Sequence, residues 1–317
     1  LGMEHLLASE FEEASFFFEK CIDENPEDYP SLYNFLYCQE QTGQIEKATA
    51  CLNKILEHNP YCEVAWHQLG KILIKSGKFK EALSAFDFAI ISDDTFTGAY
   101  IEKGNLLESI GKTNEAIQNY EVAMNTTDPT SFIHKCIGRC HENLGNMSLA
   151  KKFYLKSIEL EPSNENSSES LIIFFINQKK YTKAEYYLSR ALEINSDSTN
   201  LWKKSLELNA LKGKQERVRI SSNRLVELGN SKLDIFIHLI DFFIEKKVWV
   251  NANEFAEEAV SSFPKNKNLA LRLAGCYLNL SRTEEGLNLL NPSSLNASEK
   301  TSFIKLFPNY GKLISDM

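Results

Sequence analysis

Apolar residues recur along this chain at about 3.6-residue spacing, in blocks separated by short polar stretches, which is the signature of amphipathic helices. Trp66, Leu69 and Leu73 form one stripe, and Phe79, Ala82, Phe86 and Ala89 form the next. The blocks come in pairs, and the pair itself recurs every 34 residues. Repeats begin at Tyr29, Glu63, Thr97, Ser131, Glu165, Thr199, Leu233 and Lys267. That divides residues 29–300 into eight repeats, 29–62, 63–96, 97–130, 131–164, 165–198, 199–232, 233–266 and a degenerate 267–300.

Three columns of the repeat explain why each pair closes into a helical hairpin. Position 20 holds Ala48, Ala82, Ala116, Ala150, Ala184, Val218, Ala252 and Gly286, small enough for two helices to cross closely. Position 15 holds Gly43, Gly77, Gly111, Gly145 and Gly213, where glycine supplies the left-handed backbone that ends a helix. Position 8 is Gly70, Gly104 and Gly138 in three repeats and Ala274 in the last. Leu36, Ile172, Leu206 and Ile240 fill it elsewhere, and those four hairpins are expected to pack less closely. Pro60, Pro162 and Pro264, with Asp94 and Asp128 between them, close the second helix at position 32.

The set Trp66, Leu69-Gly70, Leu73, Ala82, Phe86, Ala89 and Asp94 resembles the tetratricopeptide repeat family, with Leu73 and Asp94 as substitutes in its pattern. Tyr100, Gly104, Leu107, Ala116, Tyr120 and Ala123 repeat the likeness, as do Gly138, Ala150, Tyr154 and Pro162. Departures gather between Glu165 and Lys232. The order of repeats and the ending Leu306-Phe307-Pro308 resemble long tetratricopeptide proteins of Bacteroidetes, including Flavobacterium-type bacteria. The resemblance implies an all-α fold, a right-handed superhelix of antiparallel hairpins, with helix A of each repeat lining a concave groove. Residues 1–28 read as an incomplete repeat and residues 301–317, with Phe303, Ile304, Leu306, Phe307, Leu313 and Ile314, as a C-terminal cap. Leu1-Gly2-Met3 falls inside a helix A, the mark of a piece of a longer protein unless Met3 is the initiator.

In that family positions 2, 5, 9, 12 and 13 face the groove. Carried onto this chain they give Tyr33 and Tyr37, then His67, Lys71, Ile74 and Lys75, then Ile101, Asn105, Glu108 and Ser109, then Phe132, Lys135, Arg139, Glu142 and Asn143. Lys71, Lys75, Lys135 and Arg139 suit a carboxylate or an acidic peptide, with Asn105 bonding its backbone. The competing reading is an ordinary solvated face. The carboxylate clamp of chaperone-tail-binding relatives is missing, since Glu102 stands where such a clamp needs a neutral donor. Farther on, Glu169, Ile173, Glu207, Asp234, Asp241 and Glu245 make the face more acidic and apolar, which fits an extended partner of uneven charge.

A net charge of −8, from 35 Lys and Arg against 43 Asp and Glu, opposes a nucleic-acid binder with a broad basic face. No apolar run approaches a membrane span. His134, Cys136, Cys140 and His141 lie close in sequence, but on one helix Cys136 and Cys140 share a face while His134 and His141 share another, so the four donors do not converge on a metal. Cys21, Cys38, Cys51, Cys62 and Cys276 are dispersed, as reduced and buried thiols would be. The reading is a non-enzymatic, cofactor-free scaffold or adaptor for a partner protein in the bacterial cytoplasm. A ligand-responsive sensor and a noncatalytic arm of a larger enzyme are the alternatives.

Overall fold

The computed structural model describes residues 1–126, 130–290 and 295–312, so Asp128, Pro292, Leu313 and Ile314 lie outside the described residues. Every described element is helical. The hairpins are α1 (Gly2–Leu7) with α2 (Phe11–Glu24), α3 (Tyr29–Gln41) with α4 (Ile45–His58), and α5 (Glu63–Lys75) with α6 (Phe79–Ser92). Next come α7 (Thr97–Ser109) with α8 (Thr113–Thr126) and α9 (Ser131–Asn143) with α10 (Met147–Leu160). The series continues with α11 (Glu165–Asn177) and α12 (Tyr181–Ile194), α13 (Thr199–Leu211) and α14 (Gln215–Glu227), and α15 (Lys232–Glu245) and α16 (Trp249–Ser262). Helices α17 (Lys267–Asn279), α18 (Thr283–Leu290) and α19 (Ala297–Leu306) complete it. The helices form two compact blocks, residues 1–161 and 162–317.

Local chemistry sets where each helix begins and ends. Asp28, Thr130, Asn164, Ser198, Ser231 and Asn266 cap helix A of their repeats by accepting from a backbone amide in the first turn. Helix A then stops at a left-handed residue. Gly43, Gly77, Gly111, Gly145 and Gly213 have φ between +65° and +80°, and Ser9, Lys179, Lys247 and Ser281 take the same conformation where the repeat lacks glycine. The amide after each of these residues bonds back into the helix, as Gln44 N–H does to the Gln39 carbonyl at 2.8 Å and Lys180 N–H to Phe175 at 2.9 Å. All nine hairpins therefore turn on one backbone shape.

Position 20 is sealed at Ala14, Ala48, Ala82, Ala116, Ala150, Ala184 and Ala252, each at most 1% exposed. Position 8 explains the rest of the packing. A Cβ on Gly70 would lie 2.5 Å from the Phe86 ring, on Gly104 2.7 Å from Tyr120, and on Gly138 2.9 Å from Tyr154. The glycines are holes that admit an aromatic ring from position 24. Where position 8 is Leu36, Ile172, Leu206 or Ile240, position 24 shrinks to Leu52, Leu188, Ser222 or Ala256. The glycine hairpins are the closest packed, yet Ile172, Leu206 and Ile240 are fully buried, so the aliphatic hairpins are sealed by a different division of the same volume.

At the C-terminal end, Asn296 and Glu299 form a capping box that starts α19. Phe303 and Phe307 are buried there, Phe307 with its ring against Gly275, where a Cβ would lie 2.2 Å away.

Candidate functional site

In the N-terminal block helix A of one repeat touches helix A of the next at α5 and α7, and in the C-terminal block α11, α13, α15 and α17 do so in series. The A helices of successive repeats therefore lie side by side, and the residues they turn away from the B helices share one face of each block.

In the N-terminal block this face divides into paired and unpaired groups. Arg139 donates from Nε and Nη2 to the two oxygens of Glu108 at 2.6 and 2.7 Å, a bidentate clasp between α9 and α7 that holds the guanidinium more firmly protonated than usual. Lys75 pairs with Glu40. Asn105 accepts from the Tyr120 hydroxyl at 2.7 Å and donates to Glu102 at 3.3 Å, so both ends of its amide are engaged. Glu142 accepts from the Tyr154 hydroxyl at 2.8 Å. His67 packs against Phe86 and Phe96, its ring centroid 6.0 and 5.2 Å from theirs. Burial, with Lys71 nearby, lowers its pKa to about 4, and its Nε2 has no hydrogen-bond partner. This histidine is a neutral packing residue rather than a solvated contact.

Lys71 and Lys135 form no ion pair among the described residues. The Lys135 ammonium sits 5.1 Å from the centre of the exposed Phe132 ring, a cation–π contact that leaves room for an anion. Tyr33 and Tyr37, one helical turn apart, are 45% and 48% exposed, and the edge of Phe11 steadies Tyr37 at 5.9 Å.

The glycine holes connect this face to the hairpin interior. Because Gly104 and Gly138 have no side chain, the rings of Tyr120 and Tyr154 pass beneath helix A and deliver their hydroxyls to Glu108 at 3.4 Å and Glu142 at 2.8 Å. In repeat 63–96 the ring is Phe86 and position 12 is Ile74, so the hydroxyl is absent where the carboxylate is absent. Burial and these carboxylates raise both phenols far above the ordinary tyrosine value.

The C-terminal block has a recess of about 290 Å³ on its own A-helix face, lined by Ile173, Ile176, Lys204, Glu207, His238 and Phe242 among others. Its acidity is largely compensated. Glu207, 2% exposed, accepts from Lys204 at 3.0 and 3.1 Å and faces His238 Nε2 at 2.9 Å. Asp241 receives a bidentate Arg272 at 2.7 Å on each oxygen. The acidic surface expected from the sequence is thus mostly a set of clasps between neighbouring repeats. The signal for them was in the chain, because Glu108–Arg139, Glu207–His238 and Asp241–Arg272 are each 31 residues apart.

No chemistry assembles around the His and Cys residues of α9. His134 is buried with Nδ1 3.0 Å from the Thr130 carbonyl, and His141 stacks on Phe153 at 5.5 Å. Burial raises the Cys140 thiol to about 12, so it is not a nucleophile at neutral pH. Among the described residues no group of three or more His, Cys, Asp and Glu could hold a metal ion, and no helix is long and apolar enough to cross a membrane. All seven cysteines are free thiols, but Cys21 is exposed and Cys51 half-buried, a correction to the expectation that all are buried: both lie on helix B of their repeats, Cys51 at the margin of the core.

No curated protein matches the chain. In fold it is similar to a tetratricopeptide repeat protein from Parabacteroides merdae ATCC 43184, at 16% identity and a TM-score of 0.56 over 80% of this chain and 98% of that one. It is similar to a chain of the APC/C hetero-tetramer Cut9-Hcn1, at 18% identity and a TM-score of 0.53, covering 84% of this chain but only 52% of that one. Pseudomonas aeruginosa PilF gives 16% identity and a TM-score of 0.51 over 74% and 99% of the two chains. A tetratricopeptide repeat-like domain model matches residues 6–146 and a tetratricopeptide repeat model residues 137–164. With those matches together spanning half of the sequence, on helix hairpins in a 34-residue register, the chain belongs to the tetratricopeptide repeat family.

Proposed function

We propose that this protein is an interaction scaffold of the bacterial cytoplasm whose A-helix face in residues 29–143 receives an extended segment of a partner protein. The observation that carries the reading is the contrast between engaged and free groups on one face. Arg139, Lys75, Asn105 and Glu142 are held by internal partners, whereas Lys71 and Lys135 form no ion pair among the described residues, Lys135 lies by the exposed Phe132 ring, and Tyr33 and Tyr37 are exposed in the same register columns. Rigid amphipathic rings beside two cations suit an aromatic segment carrying a short acidic stretch. The stretch is short because residues 1–161 hold 14 Lys and Arg against 25 Asp and Glu, and a net −11 repels a long polyanion.

The test is affinity purification from the native host with wild type, with Lys71→Glu/Lys135→Glu, and with the control Lys78→Glu/Lys80→Glu on exposed lysines at the start of α6. Loss of one specific partner from the first variant alone supports the reading. Retention of every partner by that variant rejects it.

A further inference from the structure

The two blocks differ in sign of charge. Residues 162–317 hold 21 Lys and Arg against 18 Asp and Glu, a net +3, where residues 1–161 are at −11. The excess in each block is arranged along an edge. Three successive hairpin turns of the C-terminal block each present two lysines, Lys179 and Lys180, Lys212 and Lys214, and Lys246 and Lys247. They flank or occupy the left-handed position that ends helix A, so the fold sets one pair per repeat on the same edge. Lys179, Lys180, Lys246 and Lys247 are exposed and make no ion pair among the described residues. The middle rung has a single counter-charge, Glu185, which meets Lys212, Lys214 and Arg217 together and leaves that rung two charges in excess.

The opposite edge of the N-terminal block, formed by the connections between repeats, carries the complementary pattern. Glu24 and Glu27 lie on the first connection, Glu57 beside the second, and Asp93 and Asp94 on the third. None of these five is ion-paired among the described residues. Both ladders step by one 34-residue repeat along the sequence, three rungs in each.

We propose that the lysine edge of the C-terminal block docks the acidic connection edge of a second copy of this chain. The complementary charge is present on the molecule itself, three basic turns against three acidic connections, which favours a second copy over another polyanion. The two surfaces differ, so the contact is head-to-tail and each added copy leaves one edge of each kind open. This surface is separate from the A-helix face of residues 29–143, and the proposal stands or falls independently of the proposed function. Lys246, which lines the A-helix recess of its own block and donates to Asn177 at 2.6 Å, lies where that face meets the edge.

Sedimentation velocity of the full chain over a range of concentrations tests the proposal. Mass should grow with concentration at about 0.05 M salt and return to monomer at about 0.5 M, where charges are screened within a few ångströms. The variant Lys179→Glu/Lys180→Glu/Lys246→Glu/Lys247→Glu should weaken association by at least about tenfold, as should Glu24→Lys/Glu57→Lys/Asp94→Lys. These positions are exposed, and circular dichroism checks that each variant keeps its helices. Mixing the two variants should restore association, because each then offers the edge that the other needs. A wild-type chain that is monomeric at every concentration overturns the proposal. So does association that survives salt and both sets of substitutions, a mixture that stays monomeric, or binding of polyglutamate or single-stranded DNA with no self-association.

Discussion

The hairpins of residues 63–164 and those of residues 165–266 solve one packing problem in opposite ways. In the first group helix A gives up its side chain at Gly70, Gly104 or Gly138 and helix B fills the space with Phe86, Tyr120 or Tyr154. In the second, helix A supplies Ile172, Leu206 or Ile240 and helix B retreats to Leu188, Ser222 or Ala256. Volume at the crossing is shared between positions 8 and 24, so neither column is informative without the other. Only the first arrangement can carry a hydroxyl through the hairpin to the A-helix face, as Tyr120 and Tyr154 do. Clasps between neighbouring repeats occur in both groups, Glu108 with Arg139 in the first and Glu207 with His238 and Asp241 with Arg272 in the second, where no such hydroxyl joins them.

The largest expected effect breaks the sharing in the first group. Phe86→Ala should cost about 3–5 kcal/mol, and Gly70→Leu, which drives a side chain into the Phe86 ring, about 3 kcal/mol. The double variant copies the second group and should cost at least about 1 kcal/mol less than the sum. Urea melts of the four proteins measure this, and strict additivity would refute the shared volume.

Next is pH. Folded, His67 takes a proton only near 4; unfolded, it does so near its ordinary 6.5. Between those values the unfolded chain binds more protons, so stability falls as pH drops through this window and is unaffected above it. The loss should be on the order of 2–3 kcal/mol by pH 4. Comparing pH-dependent melts of wild type and His67→Phe isolates it, since only the histidine protein should show this slope.

A smaller effect tests the hydroxyls. Tyr120→Phe removes the bonds to Asn105 and Glu108 and should cost about 1–2 kcal/mol, whereas Phe86→Tyr, which would face Ile74, should bring no matching gain in thermal melts. The smallest lies in the turns. Lys179→Gly and Lys247→Gly relieve a left-handed lysine worth about 1–2 kcal/mol but add unfolded-state freedom worth about 0.5–1 kcal/mol. A net gain of about 0.5 kcal/mol each is expected, read as a small rise in Tm, while Gly77→Lys should lower it.

The hairpin fold was legible because Ala82, Gly77 and Phe86 recur at fixed offsets, and a repeated offset is a repeated geometry. Even the turns lacking glycine follow the register, since the backbone of the hairpin imposes the left-handed residue whether the chain offers Gly213 or Lys179. The looser packing expected at Leu36, Ile172, Leu206 and Ile240 was only half the account, because it ignored the smaller partner across the crossing. The candidate site was less legible. Register places Arg139 and Lys71 on one face alike, but it does not say that Glu108, 31 residues before Arg139, neutralises one while the other stays unpaired. His67 was likewise placed by column, whereas its environment is set by Phe86 and by Phe96 at the far end of its own repeat.

The uniform turn has a practical corollary. Since the reversal at Gly43, Gly77 and each equivalent position is closed by backbone bonds back into helix A, an exposed side chain at the bend, such as Lys78 or Lys179, is not required for the turn. Within each block such positions recur once per repeat, as attachment points where dyes, cross-linkers or new binding loops can be installed without disturbing a buried atom.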